Sequence, residues 1–277
     1  MRRSIYPLLF VLIILSACRA GADVGPESEA TVTLPATPAT NNEAARLLEQ
    51  GKALLDDDEC DAALEPLQRA AQLDPTLPEA FLSLGNAYAR TGQADLAIDA
   101  YTTALELDEA YAAAHTNLGA AYLRQADGPD AIEPAIEAFR TAIALEPEDA
   151  DTHTNLGSAL LQMSQFPQAQ QEFEEALRLD PELPEAMVGL GYVFFLTGKL
   201  DEGQARFEAA AAMDPDMPEV QFALGIIYLE TSQPEKAAAA FEAFLAIEIP
   251  PGCKGDQNVA AEALQQAETI LDQLRGE

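Results

Sequence analysis

The sequence has no tryptophan, only two histidines and three cysteines, and just 15 lysines and arginines against 47 aspartates and glutamates. The resulting net charge of −32 repels a phosphate backbone, so nucleic acid is excluded as an expected partner. Basic proteins or cations would be attracted. The plainer interpretation is that the charge keeps an exposed, alanine-rich protein soluble.

Valine and isoleucine, which sheets favour, are also sparse, and aromatic residues make up 6% of the chain. Alanine and leucine dominate the 48% of hydrophobic residues, with glutamate, aspartate and glutamine between them. Alanine and leucine have the highest helix propensities, so this composition predicts an all-α protein with closely packed helices.

Residues 1–17 have the features of an export signal. Two arginines precede an apolar stretch at residues 8–15, which is too short to span a bilayer as a stable helix. The segment ends in Leu15-Ser16-Ala17-Cys18, which resembles the lipobox of bacterial lipoproteins. That resemblance implies a signal peptide over 1–17 and a Cys18 thiol that carries acyl chains such as palmitate. The alternative is an ordinary cleaved signal followed by a chance cysteine.

Residues 18–41 are expected to form the lipidated cysteine and a disordered tether, because Gly, Pro, Thr and acidic residues follow one another without a helical period. The resemblance implies an extracytoplasmic protein that is lipid-anchored to the cell membrane or the outer membrane. Arginine rather than aspartate at position 19 favours the outer membrane if the source is diderm.

A glycine recurs through the rest of the chain at spacings of 34, 34, 38, 34 and 34 residues. These glycines are Gly51, Gly85, Gly119, Gly157, Gly191 and Gly225. A leucine or aromatic residue follows each glycine by three positions, a small residue comes later, and a large residue follows the small one by four. Proline often closes the unit. This pattern closely resembles the tetratricopeptide repeat over residues 44 to about 251.

The resemblance implies a right-handed α-solenoid of six helical hairpins. The expected repeats are 44–77, 78–111, 112–149, 150–183, 184–217 and 218–251, followed by a capping helix at 256–275. Independently, each unit has two apolar stripes of helical period separated by a polar turn, and a single hairpin cannot bury its apolar face alone. Four extra residues near Gly128 predict a longer second helix in the third repeat, with a functional loop as the alternative.

No catalytic constellation is found, so the chain is not expected to be an enzyme or to need a cofactor. His115 and His153 share one repeat position, and no cluster of further ligands accompanies them, so packing is favoured over a metal pair. Cys60 and Cys253 lie at opposite ends of the array, and a disulfide requires Cα atoms within about 7 Å. No bond between these two cysteines is expected.

The resemblance also implies a concave groove, lined by the first helix of each repeat, that binds extended peptides or partner helices. Asn117 and Asn155 occupy a position that forms an asparagine ladder in some families, and Asn86 projects nearby. An amide both donates to and accepts from a peptide backbone. The alternative is that these asparagines satisfy local helix ends or solvent. The carboxylate clamp of chaperone-binding relatives does not carry over.

Repeats five and six are more apolar than the others. Tyr192, Phe195, Phe222 and Ile226 are expected to form an exposed apolar end of the groove that anchors a partner. On that hypothesis, serine at Tyr192 and Phe222 would abolish binding with little effect on stability. The alternative is that the capping helix covers these side chains.

These observations predict a lipid-anchored scaffold that mediates protein–protein interactions in the bacterial cell envelope. The alternative is a non-catalytic accessory subunit that delivers a peptidase or a glycan-modifying enzyme. Both hypotheses place another protein or peptide in the groove and the membrane at Cys18.

Overall fold

The computed structural model describes residues 38–125, 128–247 and 257–275. The predicted signal peptide, Cys18, most of the tether and Cys253 lie outside these residues. The described residues form thirteen α-helices and no strand, which confirms the all-α prediction. The helices are α1 Pro38–Asp56, α2 Cys60–Leu73, α3 Pro78–Arg90, α4 Ala94–Leu107, α5 Ala112–Gln125, α6 Pro129–Leu145, α7 Ala150–Gln162, α8 Phe166–Leu179, α9 Pro184–Leu196, α10 Leu200–Met213, α11 Pro218–Glu230, α12 Pro234–Ala246 and α13 Gln257–Arg275.

Helices α1 to α12 form six consecutive hairpins that stack into a solenoid. We call the first helix of each hairpin helix A and the second helix B. Each helix B packs most extensively against its own helix A and then against helix A of the next repeat. The A helices also touch one another along the row from α1 to α9. Among the described helices, the main contacts therefore run between neighbouring helices and neighbouring repeats, as expected for a repeat array.

The recurring glycine lies where the two helices of a hairpin cross. A Cβ added at Gly85 would fall 2.4 Å from the Tyr101 ring, and one at Gly157 would fall 2.8 Å from the Phe173 ring. No real Cβ is tolerated at such distances, so only glycine lets helix B approach this closely. The six pairs are Gly51–Leu67, Gly85–Tyr101, Gly119–Phe139, Gly157–Phe173, Gly191–Phe207 and Gly225–Phe241.

In the five repeats other than the third, the turn between helix A and helix B contains one residue with positive φ. Gly92 and Gly198 supply it in two repeats, whereas Asp58, Ser164 and Ser232 adopt the same conformation with φ between 57° and 60°. The residue after it donates its N–H to a carbonyl five positions earlier, as in Lys199 to Phe194 at 2.8 Å. This geometry satisfies carbonyls that the end of helix A would otherwise leave unpaired.

The expectation of a longer second helix in the third repeat is confirmed. α6 has 17 residues, whereas α4, α8 and α10 have 14 each. Gly128, with a φ of 108°, precedes Pro129 at its start. The additional length is thus taken up by helix at the N-terminal end of α6.

The last helix, α13, packs against α12 and continues the core beyond the sixth repeat. Its buried stripe is Ala263, Ala267 and Leu271, spaced four residues apart on one face, while Leu264, Ile270 and Leu274 are half-buried. None of the described helices is long and apolar enough to cross a bilayer.

Candidate functional site

A cavity of about 460 Å³ lies between the A helices of repeats one to three. Its walls come from α1, α3 and α5, with Tyr101 of α4 and Tyr111 completing them. The lining residues are Lys52, Leu55, Asp56, Glu79, Leu82, Ser83, Asn86, Ala89, Arg90, Tyr101, Tyr111, Asn117, Ala120, Ala121 and Arg124. We call this space the groove cavity.

A hydrogen-bonded triad joins two repeats in the groove cavity. Asn86 Oδ1 accepts one hydrogen bond from the Tyr101 hydroxyl at 2.8 Å and another from Asn117 Nδ2 at 2.8 Å. Burial raises the pKa of Tyr101, so its hydroxyl stays protonated and remains a donor. The structure thus brings the predicted residues Asn86 and Asn117 together across repeats two and three.

The triad leaves defined polar groups without protein partners. The Asn86 amino group and the Asn117 carbonyl oxygen make no hydrogen bond within the described part of the chain, and both residues are half-buried. One donor and one acceptor are therefore available next to each other in the groove cavity.

Most of the charge in the groove cavity is paired. The Lys52 ammonium lies 2.7 Å from a Glu79 carboxylate oxygen and 3.1 Å from one of Glu49. These hydrogen bonds, chiefly that to Glu79, raise the pKa of Lys52. The Arg90 guanidinium donates to the Leu55 carbonyl at 2.6 Å.

Arg90 also pairs with Asp58, so it ties α3 to the turn that follows α1. Arg124 on α5 is different: its side chain is exposed and makes no ion pair with any described residue. Arg124 and Tyr101 were not predicted as groove residues, because nothing in the repeat pattern marks them as such.

Asn155 does not join the triad. It lies on α7, is half-buried, and makes no hydrogen bond to another described residue. At the junction of repeats three and four the Thr116 and Thr152 hydroxyls lie 2.7 Å apart instead, and Thr152 also donates to Asp149. Asn117 and Asn155, which share the repeat position of the predicted ladder, therefore make no hydrogen bond to each other.

The expectation of an exposed apolar end of the groove is wrong. Tyr192, Phe195, Phe222 and Ile226 are 7%, 8%, 1% and 3% exposed. Tyr192 packs edge-on against Phe207, and Phe222 packs edge-on against Phe241 and Phe244. These four residues belong to one core cluster that extends to the buried face of the capping helix, so they present no apolar patch to a partner.

Each of the two histidines, on an A helix, forms a hydrogen bond with a carbonyl of the loop that precedes its helix. His115 Nε2 lies 3.0 Å from the Glu109 carbonyl oxygen, and His153 Nε2 lies 3.3 Å from that of Pro147. In each case the partner is six residues earlier. Gln221 has the same role in repeat six, where its Nε2 donates to the Pro215 carbonyl at 2.9 Å. No group of three metal-binding side chains occurs among residues for which the structure gives positions.

Cys60 is buried at the start of α2 and is disulfide-bonded. Cys18 and Cys253, the other two cysteines of the chain, lie outside the described residues. The prediction that Cys60 and Cys253 do not bond to each other stays a prediction.

Family models match most of the helical array. A model described as TPR repeat matches residues 51–92, 88–125 and 131–164, and one described as tetratricopeptide repeat matches 154–203 and 197–252. The break between residues 125 and 131 coincides with the insertion in repeat three. A search of curated proteins found no match.

Solved structures with the same fold include a chain of the APC/C hetero-tetramer Cut9–Hcn1, with a TM-score of 0.69 and 22% identity over 81% of this chain. This chain spans 42% of the length of that one. PilF of Pseudomonas aeruginosa gives 0.64 with 21% identity, covering 81% of this chain and 99% of its own. YrrB, described as a TPR protein with an unusual peptide-binding site, gives 0.50 with 23% identity, covering 73% and 99%. At these identities the likeness shows the fold alone.

Proposed function

Because the chain is a tetratricopeptide repeat protein, we propose that it is a non-catalytic scaffold that binds another protein in the groove cavity and is held at a membrane through Cys18. One observation carries the binding proposal. Three successive A helices enclose a cavity of about 460 Å³ in which the amides of Asn86 and Asn117 keep a donor and an acceptor free. Polar groups of this kind, set in a concave surface, fix the orientation of a bound chain.

The groove proposal is tested by photo-crosslinking in intact cells. A photoreactive amino acid replaces Ala120, which lines the groove cavity, and in a matched chain it replaces Glu106, which is exposed on helix B of repeat two. A partner bound in the groove is captured from position 120 and not from position 106. Equal capture from both positions, or capture from position 106 alone, would contradict the proposal.

The anchoring proposal rests on the residues around Cys18 and on the position of the first helix. α1 begins at Pro38, twenty residues after the cysteine. Residues 19–37, between the cysteine and this helix, lie outside the described residues. Such a protein belongs in the bacterial cell envelope, where it would recruit proteins to the membrane.

The anchor is tested with Cys18→Ser, and Cys253→Ser serves as the control. The proposal requires that Cys18→Ser alone moves the chain from the membrane fraction to the soluble fraction, and that mass spectrometry finds acyl groups on Cys18 of the mature protein. An acylated sulfur cannot take part in a disulfide. Finding Cys18 in a disulfide with the bonded Cys60 would therefore overturn the anchor and leave the groove proposal standing.

A further inference from the structure

Exposed apolar side chains recur at the ends of the B helices. Among the described residues, the large hydrophobic side chains that are exposed are Leu96, Leu107, Leu145 and Met213. Single exposed leucines are common on protein surfaces. Three of these four, however, share one position, because Leu107, Leu145 and Met213 are the last residues of α4, α6 and α10. Leu179, which is half-buried, ends α8, so this position is large and apolar in four successive repeats.

In repeats three to five each of these side chains begins an acidic loop. The loops at 145–148, 179–182 and 213–216 share the order large apolar residue, acid, proline, acid. We call these three stretches the loop edge. The six acids are exposed, and none forms an ion pair with a described residue; they are Glu146, Glu148, Asp180, Glu182, Asp214 and Asp216. Repeat two differs, because its loop lacks the proline and the acid after it.

No nearby base among the described residues offsets these acids. Arg178 is the base closest in sequence to the loop edge, and it already donates two hydrogen bonds to Glu175, at 2.9 and 2.6 Å. Arg140 and Arg206 lie more than one helical turn back along α6 and α10. The C-terminal ends of the B helices add the negative end of the helix dipole to the same loops. The loop edge is therefore complementary to a cationic surface that also carries apolar side chains.

The backbone of the loop edge favours a helical occupant over an extended one. Asp180 Oδ1 accepts from the Glu182 N–H at 2.9 Å, and Asp214 Oδ1 accepts from the Asp216 N–H at 3.0 Å. The N–H groups of residues 146, 180 and 214 are bonded to carbonyls of their own B helices. An extended segment would thus find these donors occupied, whereas a helix satisfies its backbone groups internally.

The repeat spacing matches the rise of a helix. The A helices of successive repeats up to α9 touch, and packed helices lie about 8–10 Å apart, so corresponding loops recur at about 10 Å. Seven residues of an α-helix rise about 10.5 Å. We propose that the loop edge binds a basic amphipathic helix of another protein. Its apolar residues, one in every seven, contact Leu145, Leu179 and Met213, and lysines or arginines beside them pair with the loop acids.

This surface is separate from the groove cavity. The loop edge belongs to repeats three to five and shares no residue with the lining of the groove cavity, which is formed by repeats one to three. Binding at the loop edge therefore neither requires nor tests binding in the groove. Crosslinking from position 120 decides the groove proposal whatever the result at the loop edge.

The spacing is tested with labelled twenty-two-residue peptides and the full-length protein. The first peptide is an alanine-based helix with leucine at every seventh position and lysine midway between the leucines. The second has the same composition with leucine at every fifth position, which spreads the leucines around the helix. Fluorescence anisotropy should show at least tenfold tighter binding of the first peptide. Equal affinities, or binding of neither peptide, would overturn the proposal.

The apolar contact is tested with Leu145→Gln, for which Leu96→Gln is the matched control. Leu145 is 39% exposed and Leu96 is 43% exposed, so neither substitution opens a cavity in the core. Leu145→Gln should weaken binding of the first peptide by about fivefold, whereas Leu96→Gln, outside the loop edge, should leave it unchanged. The same loss in both variants would refute docking on the loop edge.

The charge contact is tested with the double variant Glu146→Gln, Glu148→Gln. The matched control is Glu133→Gln, Glu137→Gln, which removes two exposed acids at least two turns back along α6. Charges more than about 8 Å away are largely screened at physiological salt, so the first variant alone should weaken binding, by about fivefold. An equal effect of both variants would show that the peptide follows the net charge of the chain, and would overturn a specific site.

Discussion

The ring of Phe173, in helix B of repeat four, lies directly against Gly189 of the next helix A. A Cβ at position 189 would fall 2.3 Å from two carbons of the ring. The same ring is 0% exposed and also lies on Gly157 of its own repeat, where a Cβ would fall 2.8 Å away. Phe173 is thus held between two glycines, and repeats four and five pack closely around it.

Gly189→Ala is therefore expected to destabilise the array. Overpacking a buried site costs about 1–3 kcal/mol. The higher helix propensity of alanine offsets up to about 1 kcal/mol, which leaves a net loss of about 1–2 kcal/mol. Urea unfolding followed by circular dichroism measures it.

The control is Gly203→Ala. The nearest contact of a Cβ there is 3.1 Å, and other repeats carry alanine at the equivalent position, as at Ala97 and Ala169. This variant should be close to neutral. A loss at position 203 as large as that at 189 would show that crowding at Phe173 is not the cause.

A second pair of substitutions tests the energetic cost of the positive-φ conformation in the turns, apart from any steric contact. Gly198 has a φ of 81° with no atom within 4 Å of an added Cβ, so alanine there meets no steric contact but adopts a disfavoured conformation. Gly198→Ala should cost about 1 kcal/mol of unfolding free energy. Ser164→Gly makes the opposite change at a φ of 57° and should stabilise the protein by a few tenths of a kcal/mol, since the flexibility of glycine offsets part of the gain. Destabilisation by Ser164→Gly would argue against backbone strain at these turns.

Phe222→Ala should destabilise the protein by about 3–5 kcal/mol, as is usual for removal of a buried ring. The side chain is 1% exposed and contacts two other rings. This outcome reverses the sequence-based expectation that polar residues at Tyr192 and Phe222 would leave stability nearly unchanged. Leu107→Ala, at a side chain 40% exposed, is the control and should have a small effect on the denaturation midpoint.

Alkaline pH should weaken the fold through Tyr228. Burial, and then its hydrogen bond to Glu208, raise the pKa of Tyr228 from 10.0 to about 12. A raised tyrosine pKa means that the folded state holds the proton more tightly than the unfolded chain. The stabilisation is therefore complete below pH 10 and is lost as the pH rises from 10 to about 12.

Unfolding free energies measured across that range should fall less steeply in Tyr228→Phe than in the parent chain. Absorbance at 295 nm follows the tyrosinate directly. Phenolate formation at Tyr228 near pH 10 in the folded protein would contradict the raised pKa.

The glycine spacing was sufficient to predict the hairpins, because a crossing that only glycine allows recurs once per repeat. The sequence did not show which A-helix side chains of repeats five and six face the groove and which are buried in the core. Tyr192 and Phe222 lie on A helices, as Asn86 and Asn117 do, but large apolar side chains there pack into the core while amides remain half-buried at the cavity. Whether a side chain on such a helix is buried depends on its neighbours in three dimensions, which the repeat period does not encode.

The groove cavity was predicted in part. Asn86 and Asn117 were expected to lie near each other, and the structure joins them at 2.8 Å. Tyr101 packs its ring against Gly85 at the hairpin crossing, yet its hydroxyl reaches the groove and sets the orientation of Asn86. A pattern of large and small positions does not identify such a residue, because it does not show that one side chain can pack in the core with its ring and reach the groove with its hydroxyl.

Nearest-neighbour packing has a mechanical consequence. If the chain is held at its N-terminus, as proposed above, a pulling force enters through α1, whose main contacts among the described helices are with α2 and α3. Peeling α1 away removes the wall that carries Lys52 and Asp56, and the cavity opens while the later repeats keep their own contacts. Tension applied at the N-terminus would thus release a bound segment while the remaining repeats stay folded.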